Sequence, residues 1–379
     1  MAATAQFDRT RAFMDAYRLR IPVLLAPMAG ACPPALSVAV GQAGGMGACG
    51  ALLMQPTDIA AWAQEVSAGT DGPFQMNLWI PDPPPARDPS AEAAVRTFLS
   101  QWGPEVPAEA GDGAPLDFAA QSQALLDTRP AAISSIMGVY PADFIAEMKA
   151  RGIRWFATAT TVEEARVAER AGADVIVAQG MEAGGHRGAF EAASAEAAMV
   201  GLFALLPAIV DAVSVPVVAT GGIADARGVA EALLLGASAV QIGTGFLRSP
   251  EAALPSAWAD AIGHTLPEHT LITRAFSDRP GRSVATRYAR AAAAPEAPPP
   301  APYPVQRSLT QPMRSAGTRA DDIDRIQAWA GQSAALARAV PAEEIAREAD
   351  GSTRPALGSE STYAGMMPLL TMRPVRRGS

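Results

Sequence analysis

Residues 217–245 read VVATGGIADARGVAEALLLGASAVQIGTG. A short β-branched run, 217–220, stops on two glycines, and Asp225 then offers an N-cap to a helical pattern over 225–235. A second apolar run, 239–242, again stops on glycine. Strand, glycine loop, capped helix and strand in this order form a βα unit, because parallel neighbours need a crossover helix between them. The same rhythm runs upstream. Strands are predicted at 23–27, 46–49, 74–78, 132–137, 153–158 and 174–178, with helices at 56–67, 141–151 and 161–171. Pro56 and Pro141 suit a first helical turn, and Thr161 with Glu164 makes a capping box. Eight strands in all predict an α/β chain, a (β/α)8 TIM barrel over 14–250 with a smaller C-terminal insertion segment, ahead of an open doubly wound sheet.

The remainder of the chain departs from that rhythm. Residues 81–115 are Pro-rich and too long for a plain βα loop, so they are expected to cover the open end of the barrel. After Pro250 a smaller, substrate-side segment is expected over 251–317. Its stretch AAAAPEAPPPAP cannot continue as helix or central strand and reads as an extended crossing. A helix over 321–340, within a 318–345 segment returning to the barrel, would put Ile323, Ile326 and Trp329 on one face. Gly, Ser, Pro and Arg dominate 346–379, which reads as a weakly ordered tail.

Composition narrows the function. The 379 residues are 49% hydrophobic and 18% charged, as in a globular chain with a sizeable core. A net charge of −8 opposes binding to nucleic acid or anionic membrane surfaces. The N-terminus has charges and no apolar signal region, and the most apolar stretch, 200–213, is broken by Pro207 and Asp211. A cytoplasmic protein is expected, and a homo-oligomer is allowed. Cys32 and Cys49 are too far apart for a CxxC pair, and with only His186, His264 and His269 no metal-ligand spacing can be assembled. Lys149 is the only lysine, so no Walker loop exists and any Schiff base would fall to that one residue.

Several motifs carry chemistry. Gly45-Met46-Gly47-Ala48-Cys49-Gly50 spells GxGxxG, but it follows a helix and leads into a strand, the reverse of a dinucleotide fingerprint. A helix C-cap and tight turn is the better reading. Gly221 and Gly222 after the seventh strand, and Gln241, Ile242, Gly243 and Thr244 at the eighth, suit a phosphate bound by bare backbone N–H groups. Residues 178–188, AQGMEAGGHRG, place His186 among glycines at the functional end of a strand. An imidazole there serves as base or hydrogen-bond donor. Glu182 and Arg187 read as surface charges or a helix-turn ion pair. Asn77 offers a strand-end amide for a heterocycle edge, and Met28, in the stretch Pro27-Met28-Ala29-Gly30, a soft thioether against a flat ring. No Ser/His/Asp set or carboxylate pair stands out.

Together LLAPMAG, QMNLW, AQGMEAGGHRG, ATGGIADARG, QIGTGF and WAGQSA, spread over residues 21–338, resemble the nitronate monooxygenases, formerly 2-nitropropane dioxygenases. That resemblance implies a TIM barrel with FMN at its C-terminal mouth. It implies FMN contacts at Met28, Asn77, Gln179, Gly184, Gly222 and 241–244, and His186 as the catalytic histidine. The implied reaction takes an alkyl nitronate, or a nitroalkane, and O2 to a carbonyl compound and nitrite. The alternative is an NAD(P)H-dependent FMN reductase of the enoyl-acyl-carrier type, which shares the GGH element.

Overall fold

A computed structural model describes residues 2–351. In chain order the strands are β1 Val23–Leu25, β2 Gly47–Gly50, β3 Phe74–Trp79, β4 Ala132–Ile136, β5 Arg154–Ala159, β6 Val175–Gln179, β7 Gly185–His186, β8 Val217–Thr220, β9 Ala239–Ile242, β10 Thr270–Thr273 and β11 Gly281–Val284. Eight of them form one parallel sheet in the order β1-β9-β8-β6-β5-β4-β3-β2. The ring closes where Leu24 bridges Met46 in parallel, Leu25 N donating to Met46 O at 2.9 Å. The result is the expected (β/α)8 barrel, each predicted strand overlapping one of the eight. Hairpin β10–β11 and the two residues of β7 make a separate antiparallel sheet.

Alternation along each strand sorts side chains between two layers. Leu24, Met46, Ala132, Phe156, Val175, Val177, Val218 and Ala239 pack together inside the ring, while Val23, Leu25, Met76, Ile133, Ile176, Val240 and Ile242 pack against the helices. The helix Ala2–Tyr17, unforeseen in the sequence, adds Phe13 and Tyr17 to the inner cluster, Tyr17 meeting Phe156 edge-on at 5.3 Å. Above this apolar plug, on the same strand faces, stand polar residues: Gln75 donates to Gln241 at 2.9 Å, and Asn77, Gln179 and Thr220 follow toward the strands' C-terminal ends. The barrel is therefore apolar at its base and polar toward its mouth.

The glycines at 45–50 behave as turn and strand residues. Gly44 caps helix Pro34–Ala43 at φ 104°, and a Cβ on Gly45 would lie 2.5 Å from Val23 O.

Residues 81–115 are ordered by their own helix, Pro89–Leu99, which Asp88 caps by accepting from Ser90 N and Ala91 N. Val95, Leu99 and Val106 join Phe276, Tyr288, Val305, Leu309 and Met313 in a second apolar cluster. The expected cover is thus indirect: the insertion backs residues 275–313, and none of its own residues lines the mouth.

The helix expected over 321–340 does not form. Helix Gln311–Arg319 ends before it and helix Ala342–Ala349 begins after it, and between them the chain is irregular apart from a single 3-10 turn, Ala334–Leu336. Asp321 sits at φ 50°, and Val284 N donates to Ala328 O, Ala330 N to Arg282 O and Gln332 N to Glu182 O. Pairing with the hairpin and the barrel outweighs a weak local preference for helix. Residues 342–349, partly inside the expected tail, form a helix whose Ile345, Ala346 and Ala349 enter the main core. The rest of that tail, 352–379, lies outside the described residues.

Candidate active site

At the C-terminal ends of the strands a cavity of about 550 Å³ opens, within the range of small-molecule and cofactor sites. Of the residues singled out from the sequence, Met28, Asn77, Gln179, Gly184, His186, Gly221, Gly222, Gln241, Gly243 and Thr244 all line it. Ile242 does not. One position beyond Gln241 on β9, it points outward into the helix layer and is 1% exposed, while its carbonyl accepts from Ala26 N.

Glycine is required at particular points of the wall. Gly221 and Gly222 hold φ of +109° and +73°, in the left-handed region. A Cβ on Gly184 would fall 2.5 Å from Gly331 N, so only glycine lets the loop after β6 meet the returning chain. Thr244 Oγ1 accepts from Gly331 N at 3.0 Å and fixes the same junction from β9.

The polar groups divide by whether the protein already uses them. Asn77 Nδ2 donates to Ser134 O and Oγ at 3.0 and 3.1 Å, which leaves Oδ1 as an acceptor. Gln179 is engaged at both ends of its amide: Nε2 donates to His186 O and Oε1 accepts from Gly188 N at 2.7 Å. Its role is to hold β7 against β6. Gln75 Oε1 is buried without a partner directly beside Gln241, an orphaned acceptor under the mouth.

His186 is carried on β7, where it pairs with Gly281 of β11. Ser277 Oγ lies 2.7 Å from its Nε2, and Trp79 and Trp329 meet the imidazole edge-on at 4.7 and 4.8 Å. No hydrogen bond to Nδ1 occurs among the described residues. Burial, aided by the positive charges of Arg279, Arg307 and Arg314, lowers the imidazole pKa from 6.5 to about 3. The ring is therefore neutral at physiological pH, a hydrogen-bonding group of low basicity. Arg279 donates Nε to Asp82 Oδ2 at 2.8 Å, joining the start of the insertion to the turn that holds Ser277.

Two expectations about charge fail. Arg187 is 4% exposed, not a surface residue, and donates to Gln179 O and Thr160 O, bracing β6 from within. Glu182 caps helix Leu202–Ala212 by accepting from Leu202 N. Sequence reasoning also passed over Trp79, Ser277, Trp329, Arg307 and Arg314, all at or beside the cavity. Trp79 was within reach, since it shares a face of β3 with Gln75 and Asn77. Ser277 arrives on the hairpin's turn, Trp329 on the returning chain, and Arg307 and Arg314 on the helices Val305–Leu309 and Gln311–Arg319, outside the βα rhythm of the barrel.

A cavity lined by glycines and amide groups, with one neutral imidazole, suits a heterocycle with a phosphate tail beside a small organic molecule. Comparison with known proteins gives the same direction. The sequence model of the family described as nitronate monooxygenase matches residues 11–348. A nitronate monooxygenase of Pseudomonas aeruginosa is 40% identical over 332 residues, covering 86% of this chain and 94% of that one. The solved structure of a nitroalkane oxidase from Streptomyces ansochromogenes aligns with a TM-score of 0.81 at 34% identity, covering 90% of this chain and 97% of that one. FabK from Thermotoga maritima aligns at 0.68 with 27% identity, covering 89% and 94%.

Proposed function

The chain belongs to the nitronate monooxygenase family and is a flavin-dependent oxidoreductase, and from that premise we propose that it seats FMN at the barrel mouth and oxidises alkyl nitronates with O2 to carbonyl compounds and nitrite. The observation that carries this reading is His186, hydrogen-bonded to Ser277 and set between Trp79 and Trp329 on the wall of a glycine-lined cavity. What bound FMN supplies is electron transfer from the organic anion to O2.

The chain's residues do the rest. Gly221, Gly222, Gly243 and Thr244 give a phosphate close access to backbone N–H groups, since no lysine stands there. Asn77 Oδ1 and the amide of Gln241, beside the orphaned Gln75 Oε1, offer hydrogen bonds to a ring edge, and Met28 an apolar contact with its face. Gln179 and Gly184 shape the wall. His186 Nδ1 faces no competing protein partner, so it is available to a nitronate oxygen. An imidazole with a pKa near 3 draws protons from carbon poorly, which favours a substrate that arrives already ionised over a neutral nitroalkane.

We propose a cytoplasmic location for this small-molecule reaction, a reading that two free thiols, Cys32 and Cys49, support. Among the described residues no helix is long and apolar enough to cross a membrane. The test is direct. Purified yellow protein should bleach with a nitronate in the absence of oxygen, and with oxygen should release nitrite while consuming O2. NAD(P)H oxidation without nitrite would replace this reading with the reductase.

A further inference from the structure

The cavity is lined by two arginines, Arg307 and Arg314, and by no aspartate or glutamate, in a chain whose net charge is −8. Elsewhere, the buried Arg187 and Arg282 give their nitrogens to neutral acceptors outside the cavity lining, whereas Arg279, Arg274 and Arg87 are matched with carboxylates, Asp82, Glu196 and Glu92. Arg307 and Arg314 are not. Arg314 spends its nitrogens on neutral acceptors, Thr310 Oγ1 at 3.2 Å, Gln327 Oε1 at 3.1 Å and the carbonyl of Arg307 at 2.8 Å. The guanidinium of Arg307 has no hydrogen-bond or ion-pair partner among the described residues.

Two neighbouring cations held partly out of water without a counter-charge disfavour each other, and burial lowers the pKa of both, further lowered at Arg314 by Arg307. An anion entering the cavity would relieve both penalties. Placement matters too. Arg307, on the helix Val305–Leu309, follows closely on Tyr303, whose ring is 5.8 Å from Trp79, itself 4.7 Å from His186. The arginines thus stand on the histidine's side of the cavity, on residues 305–314, and not on the glycine loops after β8 and β9.

Resting on the nitronate reading above, we propose that Arg307, supported by Arg314, is the substrate-binding cation that takes the negative charge of the nitronate group, while His186 contributes a hydrogen bond. His186 cannot supply that charge itself, because burial, together with Arg279 and these two arginines, keeps it unprotonated.

The experiment uses the FMN holoenzyme and ethylnitronate, which carries one charge only. Arg307→Gln should raise KM about tenfold or more, as expected for a charge-assisted hydrogen bond, with kcat within about threefold of wild type. FMN content should be unchanged, and Arg307→Lys should recover most of the loss. Inorganic nitrate, a planar anion of similar shape, should perturb the flavin spectrum of the wild type and bind Arg307→Gln more weakly by a similar factor. An unchanged KM overturns the proposal, as does loss of FMN, which would assign the arginine to the cofactor. A defect seen only with a nitronate bearing a second acid group overturns it as well. If Arg307→Gln does not fold, Arg314→Gln is read by the same criteria. Failure of the wild type to oxidise ethylnitronate would count against the activity, whereas the nitrate titrations would still decide the role of the arginine.

Discussion

Asp82→Asn removes one charge from the ion pair that ties the insertion to the turn beneath His186. Arg279 is 3% exposed, and the substitution leaves it charged, with one weak hydrogen bond to Ala189 O at 3.3 Å and whatever the asparagine carbonyl can return. Breaking a fully buried pair from one side costs ~3–5 kcal/mol. The Asp82 side chain is 27% exposed, so water reaches the vacated position and a cost somewhat below that range, ~2–3 kcal/mol, is expected. In a chain of this size that corresponds to a fall in Tm of roughly 2–4 °C, read by thermal unfolding of the FMN-loaded protein. Activity should follow, because Ser277 Oγ contacts both Arg279 O at 3.4 Å and the imidazole. Loosening that turn should lower kcat/KM by about tenfold. The double variant Asp82→Leu with Arg279→Met, which removes both charges, should recover most of the stability. Unchanged Tm and kcat/KM in Asp82→Asn would refute the reasoning, since the pair would then be a surface contact that the turn does not need.

Other expectations are shorter. His186→Asn should keep FMN and lose about one to two powers of ten in nitronate turnover, the size of a lost hydrogen bond to a charged group, measured as nitrite release; near-normal turnover would remove the histidine from the reaction. Gly222→Val should yield colourless protein, because φ +73° and a Cβ 3.3 Å from Glu182 Cβ both oppose a branched side chain where the phosphate is proposed; full flavin content would contradict this. The neutral imidazole predicts a pH profile of kcat/KM for a nitronate with no histidine ionisation between about 5.5 and 9. The sign for stability follows from a folded pKa near 3 against an ordinary 6.5. The unfolded chain binds the proton first, so this contribution is complete above about 6.5 and is lost as pH falls toward 3. Comparing the pH dependence of Tm in wild type and His186→Asn isolates it.

How much of this was legible in the residues depends on whether a period marked them. The barrel strands announced themselves because each is a short apolar run buried on both faces, Val23, Leu24 and Leu25 being 0% exposed. The glycines of the mouth were legible for a related reason, since they end strands at regular intervals. Period two also explains the misplaced Ile242: a run of contiguous residues cannot all face one cavity, and alternation turned this one outward. Outside the barrel the signal weakens. The 321–340 segment has helical spacing, yet its backbone is taken by Arg282, Val284 and Glu182. Arg187 was read as surface because charged residues usually are, while here its donors satisfy carbonyls at the end of β6 and near that of β5. Ser277, Arg307 and Arg314 are brought to the imidazole by tertiary packing alone.

The returning chain at Ala328 to Gln332 stitches together the hairpin, the loop after β6 and, through Thr244, the end of β9. A protein cut after Pro250 would retain all eight staves of the cask and yet have lost its rim. Redesign of substrate range therefore has its freest ground in the cavity-lining positions of 305–330, such as Thr318 and Gln327, where side chains can be exchanged while the hoop of β-strands below stays untouched.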